Sequence, residues 1–184
     1  MPSKKIPLAD PSVIAPYSKE GVLQVVIETP KDSRNKYAYD HARGVMVLKK
    51  TLPAGMLFPY DFGFVPSTLA DDGDAIDVLL LMDAPAFPGC VVDAHLIGVI
   101  EGEDELEGGK TRRNDRLLAV ALASHTFEDT RTLKDIPKSV LLHMQEFFVT
   151  YPRLLSGKTY KVIGVKGASA AKRLIQEAIR RNDS

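Results

Sequence analysis

Asp71-Asp72-Gly73-Asp74-Ala75-Ile76-Asp77 runs without a break into Val78-Leu79-Leu80-Leu81. Four carboxylates within seven residues repel one another, and each like-charged pair near 4 Å costs about 4 kcal/mol at an effective dielectric near 20. Such crowding requires a positive partner. Hard divalent cations such as Mg²⁺ take oxygen ligands and keep several waters, so a few carboxylates suffice to hold one. In an extended chain Asp72 and Asp74 share a face and Asp77 points away, so the three meet only if the chain turns. Gly73 supplies the backbone freedom for that turn. The apolar run predicts a buried strand over 76–82 that anchors the loop. Two other readings of these residues compete: a solvated acidic turn entering a core strand, and a helix–loop–helix calcium site. The calcium loop wants Gly sixth and Glu twelfth; counted from Asp72, this chain has Asp77 and Asp83 there.

The chain has 184 residues, enough for one domain with a substantial core. Pro2, Pro7, Pro11 and Pro16 break the segment 1–21, which reads as an N-terminal arm ahead of a single domain over 22–184. Lys+Arg and Asp+Glu each total 24, so the formal net charge is +0. Nothing there attracts nucleic acid or an anionic membrane, though local clusters can bind anions. The single cysteine, Cys90, cannot form an internal disulfide and reads as a small core residue. With no signal-peptide pattern and no long apolar span, a cytoplasmic protein is expected.

Along the chain, strand patterns fall over 22–29, 36–40 and 45–50, as in a β-meander. Residues 53–70 carry Gly55, Pro59, Gly63 and Pro66 among Phe58, Tyr60, Phe62 and Phe64, which predicts an aromatic-packed loop. An apolar strand is expected over 90–101, a polar excursion over 101–116 and a buried strand over 117–122. Asp135 reads as the N-cap of a helix over 138–151 with Pro137 in its first turn. A strand over 159–165 and a terminal helix over 168–181, capped by Ser169, complete the chain. Short strands early and two helices late predict an α+β, mainly β fold: a small β-barrel with helices packed outside. The four histidines, His41, His95, His125 and His143, have no metal-ligand spacing.

The acidic motif together with Phe58-Pro59-Tyr60-Asp61-Phe62-Gly63-Phe64 resembles the soluble, barrel-type inorganic pyrophosphatases. Their signature Asp-(small)-Asp-Pro-x-Asp-(apolar) stands here as Asp72-Gly73-Asp74-Ala75-Ile76-Asp77-Val78, and the likeness extends from about Val22 to the terminal helix. The resemblance implies a five-stranded OB-like barrel, Mg²⁺-dependent hydrolysis of inorganic diphosphate to two phosphates, and a homo-oligomer, a hexamer at this length. By position it implies that Asp72 and Asp77 are metal ligands and that Asp74 is the base for the attacking water. Asp104 and position 114 belong to further metal sites, and Glu28 to an acidic position just behind the site. Lys36 matches a lysine on the leaving phosphate, Arg116 replaces another phosphate-binding lysine, Lys50 replaces an arginine, and Tyr151 matches a phosphate-contacting tyrosine.

Several positions depart from that pattern. Ala38 stands for a glutamate, Lys50 lacks the arginine's two-pronged grip, Phe62 lacks a hydroxyl, and Pro152 replaces a lysine. Asn114 stands for an aspartate. Asp115 does not replace it, because strand alternation puts Asn114 and Arg116 on one face and Asp115 on the other. Lys49, Arg112 and Arg113 are available to restore positive charge. The departures leave two alternatives beside diphosphate hydrolysis: a hydrolase of another diphosphate compound, with room made by Ala38 and Phe62, and a catalytically silent homologue acting as a binding protein.

Overall fold

The computed structural model describes residues 10, 11 and 14–183, so most of the predicted arm's first half lies outside it. In chain order the first elements are β1 (Leu23–Thr29), β2 (Asn35–Asp40), β3 (Val45–Thr51), β4 (Asp61–Phe64) and β5 (Asp77–Leu81). They are followed by β6 (Val91–Glu105), β7 (Thr111–Arg113), β8 (Arg116–Ala121), α1 (Lys138–Ser156), β9 (Tyr160–Gly167) and α2 (Ala168–Asn182).

Hydrogen bonds run β1-β4-β5-β8-β6 and then back from β6 to β1, closing a ring of five strands. Closure removes the open edges that would otherwise template aggregation. The pairings are antiparallel except β5 with β8, which are parallel with Asp77 opposite Arg116. At 15 residues β6 outruns the ring, and its far end pairs with β9 and β7. Side-chain alternation then divides the core. Val78 and Leu80 join a cluster closed by Ala171 and Ile175 of α2, whereas Leu79 and Leu81 join one closed by Met144, Phe147 and Phe148 of α1.

The barrel expectation agrees with this architecture, but several local expectations do not. β2 and β3 pair only with each other, as a separate two-stranded sheet rather than a meander, because both sides of β1 are taken by β4 and β6. The segment 53–70 holds a fully buried strand, β4, where a loop was expected. Gly63 is the reason: a Cβ there would lie 1.9 Å from the Val26 carbonyl oxygen, so the residue that reads as a turn signal permits close strand approach. The polar excursion folds too, as the end of β6, a turn and β7.

Both helix caps differ from expectation. Asp135 accepts from the backbone N–H of Thr132 and of Arg131, capping a short 3₁₀ turn, and Pro137 itself occupies the N-cap of α1. That helix continues through Pro152 to Ser156, because a proline removes one hydrogen bond without ending a well-packed helix. Gly157, at φ 65°, stops it. Gly167, not Ser169, stands at the N-cap of α2. Cys90 is half-exposed and lies in the turn before β6. Among the described residues no helix is long and apolar enough to cross a membrane.

Asp61 opens β4 with 0% exposure. Its Oδ1 accepts from the Ala86 N–H at 3.0 Å, while Oδ2 has no hydrogen-bond partner among the described residues. Burial pushes this carboxyl up to about 6. Between its unfolded range near pH 4 and about 6, the folded chain holds a proton that the unfolded chain has released, so Asp61 costs stability as pH rises. The melting-temperature difference, Asp61→Asn minus parent, is expected to grow from pH 4 to 7, by about 2–4 °C for each kcal/mol; a pH-independent difference would refute this. Gly63→Ala is expected to abolish soluble, folded protein, as read by expression and circular dichroism.

Candidate active site

The acidic loop is built as a turn. Gly73, at φ 91°, donates its N–H to Ala70 O at 3.1 Å, and Ala70 N–H donates to Asp74 O at 2.8 Å. Thr68 fastens the loop's base, its hydroxyl donating to Val65 O at 2.6 Å and accepting from Ile76 N–H at 3.0 Å. Asp71 faces outward to Arg181 of α2 at 2.9 Å. That relieves the crowding of four acids, and the remaining three, Asp72, Asp74 and Asp77, open onto one cavity of about 430 Å³.

Glu28, Lys36, Lys50, Asp104, Asn114, Arg116 and Tyr151 line the same cavity, so the side chains assigned a site role by the resemblance meet there. Lys49 joins Lys50 because the β2–β3 register slips between Lys36 and Tyr37, and such a bulge re-aims a side chain that alternation would turn away. Arg112 lines the cavity and pairs with Asp104 at 3.5 Å, whereas Arg113 turns away to Asp115 at 2.8 Å. Lys36 Nζ lies 4.4 Å from the Phe62 ring centroid, so Phe62 is a platform for the ammonium ion. Tyr151 stacks on Phe147 with centroids 5.1 Å apart.

Glu28 accepts from the Tyr39 N–H at 2.8 Å, and burial pushes its carboxyl up to about 7 against that bond and the pull of Lys36. Its neighbour Thr29, at 0% exposure, donates to Tyr37 O at 3.1 Å and accepts from Tyr37 N–H at 3.0 Å. These side-chain bonds tie the β2–β3 hairpin, with its three lysines, to the barrel. On the opposite wall Arg116 meets Asp77 Oδ2 at 2.8 Å, and Asn114 Nδ2 donates to Asp104 Oδ2 at 2.8 Å.

Sequence reasoning missed Lys158, His41 and Tyr160 in this wall. Gly157 was the available signal for Lys158, since a glycine just past a periodic apolar pattern marks a helix end. Tyr160 gave none: it sits in an apolar strand and fits only because Gly102, facing it, has no Cβ.

The family model for inorganic pyrophosphatase matches residues 25–183. This chain belongs to the inorganic pyrophosphatase family. The inorganic pyrophosphatase of Halalkalibacterium halodurans is 39% identical over 160 residues, 87% of this chain and 94% of that protein. The crystal structure of the inorganic pyrophosphatase from Thermus thermophilus superposes with a TM-score of 0.87 at 34% identity, covering 96% of this chain and all of that one. That of the enzyme from Neisseria gonorrhoeae gives 0.85 at 29% identity, with 96% of this chain covered.

Membership in the pyrophosphatase family implies dependence on a divalent cation. The donors facing the cavity from the acidic loop are carboxylate oxygens alone, which suits a hard ion. Among the described residues no three His, Cys, Asp or Glu side chains form a closed ligand set. An ion that keeps several of its own waters does not require one.

Thr29→Val is expected to cost about 1–3 kcal/mol, because the two Tyr37 backbone groups lose their partner. Amide hydrogen exchange should rise in β2 and β3 while the ring strands keep their protection. Uniform loss of protection across both sheets would show that the hairpin is not separately anchored.

Proposed function

We propose that this chain hydrolyses inorganic diphosphate to two phosphates, with Mg²⁺ as its cofactor. The observation that supports it best is one cavity in which five carboxylates face six cationic side chains, one set suited to metal ions and the other to phosphate oxygens. In this reading Asp72 and Asp77 hold the ion, and Asp104 belongs to a further one that arrives with substrate. When bound, such ions spread the charge of the phosphate oxygens and make a water more acidic.

The chain's own groups do the rest. Lys36, steadied over Phe62, holds the leaving phosphate, and Lys50, Arg116 and Tyr151 grip the other oxygens. Holding substrate and water in line supplies most of the catalysis in phosphoryl transfer. Asp74 is exposed at the tip of the turn, where it accepts the proton of the attacking water. Water oxygen bonds to one phosphorus, the bridging P–O bond breaks, and the second phosphate departs with the bond's electron pair. Glu28 stands behind Lys36 and sets the local charge. The domain over 22–184 acts as a homo-oligomer, a hexamer by the family resemblance, in the cytoplasm.

Phosphate release from diphosphate is expected with Mg²⁺ and not with chelator. Asp74→Asn should lower kcat by about 10²–10⁴-fold with an unchanged circular dichroism spectrum. Absence of turnover above background with any divalent ion would overturn the proposal.

A further inference from the structure

Arg116 is a cation built into the carboxylate wall. Its residue exposure is 6%. Nη1 stands 2.8 Å from Asp77 Oδ2 and donates to Asn114 Oδ1, to Asn114 O at 3.2 Å and to Asp115 O at 3.1 Å. The guanidinium carbon lies 5.5 Å and 5.4 Å from the ring centroids of Phe148 and Tyr160. The Tyr160 hydroxyl donates to Asn114 O at 3.0 Å, tying that wall together. Strand register, aromatic faces and several acceptors thus fix one positive charge in one place.

Asn114 completes the arrangement. A guanidinium only donates and an ionised carboxylate only accepts, so the carboxamide must turn its oxygen to Arg116 and its NH₂ to Asp104. The bond to Asp104 Oδ2 is 2.8 Å long. Asp104 therefore faces a donor on this side, and Arg112 stands 3.5 Å from the same oxygen. Seating a divalent ion between Asp77 and Asp104 would bring it against a fixed guanidinium and displace donors from Asp104.

We propose that Arg116, oriented by Asn114, is a tethered cation that takes the place of a divalent ion between Asp77 and Asp104. In the absence of substrate, ions then bind only at the acidic loop, held by Asp72 and Asp77 away from Asp104. The proposal rests on the cavity being a divalent-cation site, and it goes further by assigning part of that site's positive charge to the chain itself.

The test is Mn²⁺ binding to the substrate-free full chain, counted by titration calorimetry and by the paramagnetic resonance signal of free Mn²⁺. Asn114→Asp replaces the donor facing Asp104 by a carboxylate and is close to isosteric. Arg116→Gln removes the tethered charge, with thermal melting checking that it folds. A gain of one bound Mn²⁺ per chain, or at least tenfold tighter binding of the weakest one, in either variant supports the proposal. The same number within threefold of the parent's affinity in both overturns it while leaving the hydrolase reading intact. No Mn²⁺ bound by parent or variants overturns both. Crystals of the parent soaked in Mn²⁺ should show anomalous density beside Asp72, and density between Asp77 and Asp104 would also overturn it.

Discussion

Asp77 and Arg116 begin neighbouring parallel strands, and the register of those strands sets carboxylate and guanidinium 2.8 Å apart. The rest of the site depends on this pair. Burial disfavours the charged guanidinium, but Asp77 together with Tyr160, Tyr151 and Asp104 outweighs it and holds the pKa above the ordinary arginine value. Removing one partner of a buried pair leaves the other uncompensated and costs about 3–5 kcal/mol. Because β5 and β8 are the parallel strands of an otherwise antiparallel ring, the acidic turn and the basic strand start lie at the same end of the barrel. A single opening between them can therefore present both signs of charge.

That pair sits in one wall, and the facing wall is attached differently. The β2–β3 hairpin hydrogen-bonds to the barrel through Glu28 and Thr29 side chains and not through a strand ladder. Apart from the buried Tyr39, its strand residues are half-buried or exposed, whereas β4, β5 and β8 are almost wholly buried. Segments with fewer buried contacts open at lower free energy than the core. Lys36, Lys49 and Lys50 are thus on the more pliable unit, and Asp77 is on a buried strand of the ring.

Much of this was legible in the residues. The apolar run after Asp77, the acidic turn around Gly73 and the aromatic segment 58–64 led to the barrel and to the candidate site, and the residues given a metal, base or phosphate role line the cavity, whereas Asp71 and Arg113 turn away from it. Segment 53–70 was misread because proline and glycine are turn signals locally, while Gly63 serves a packing contact with a strand more than thirty residues away in sequence. Asp135 satisfied the local rules for a helix cap, but it closes the capping box of a shorter turn whose N-cap is Thr132, just before the helix. Where Lys49 points was not legible, because the bulge that turns it into the cavity arises from the pairing of β2 with β3.

By itself, then, the sequence determined the element types outside segments 53–70 and 101–116, the acidic turn and the chemical identity of the groups available in the site, because these follow from side-chain chemistry and short-range periodicity. Tertiary structure decided which of those groups neutralise each other. That Arg116 answers Asp77 and that Asn114 stands between Arg116 and Asp104 are consequences of strand register and ring closure, and that Asp71 leaves for Arg181 is a consequence of the docking of α2. Charges select partners by distance, and distance between remote residues exists only once the barrel has closed.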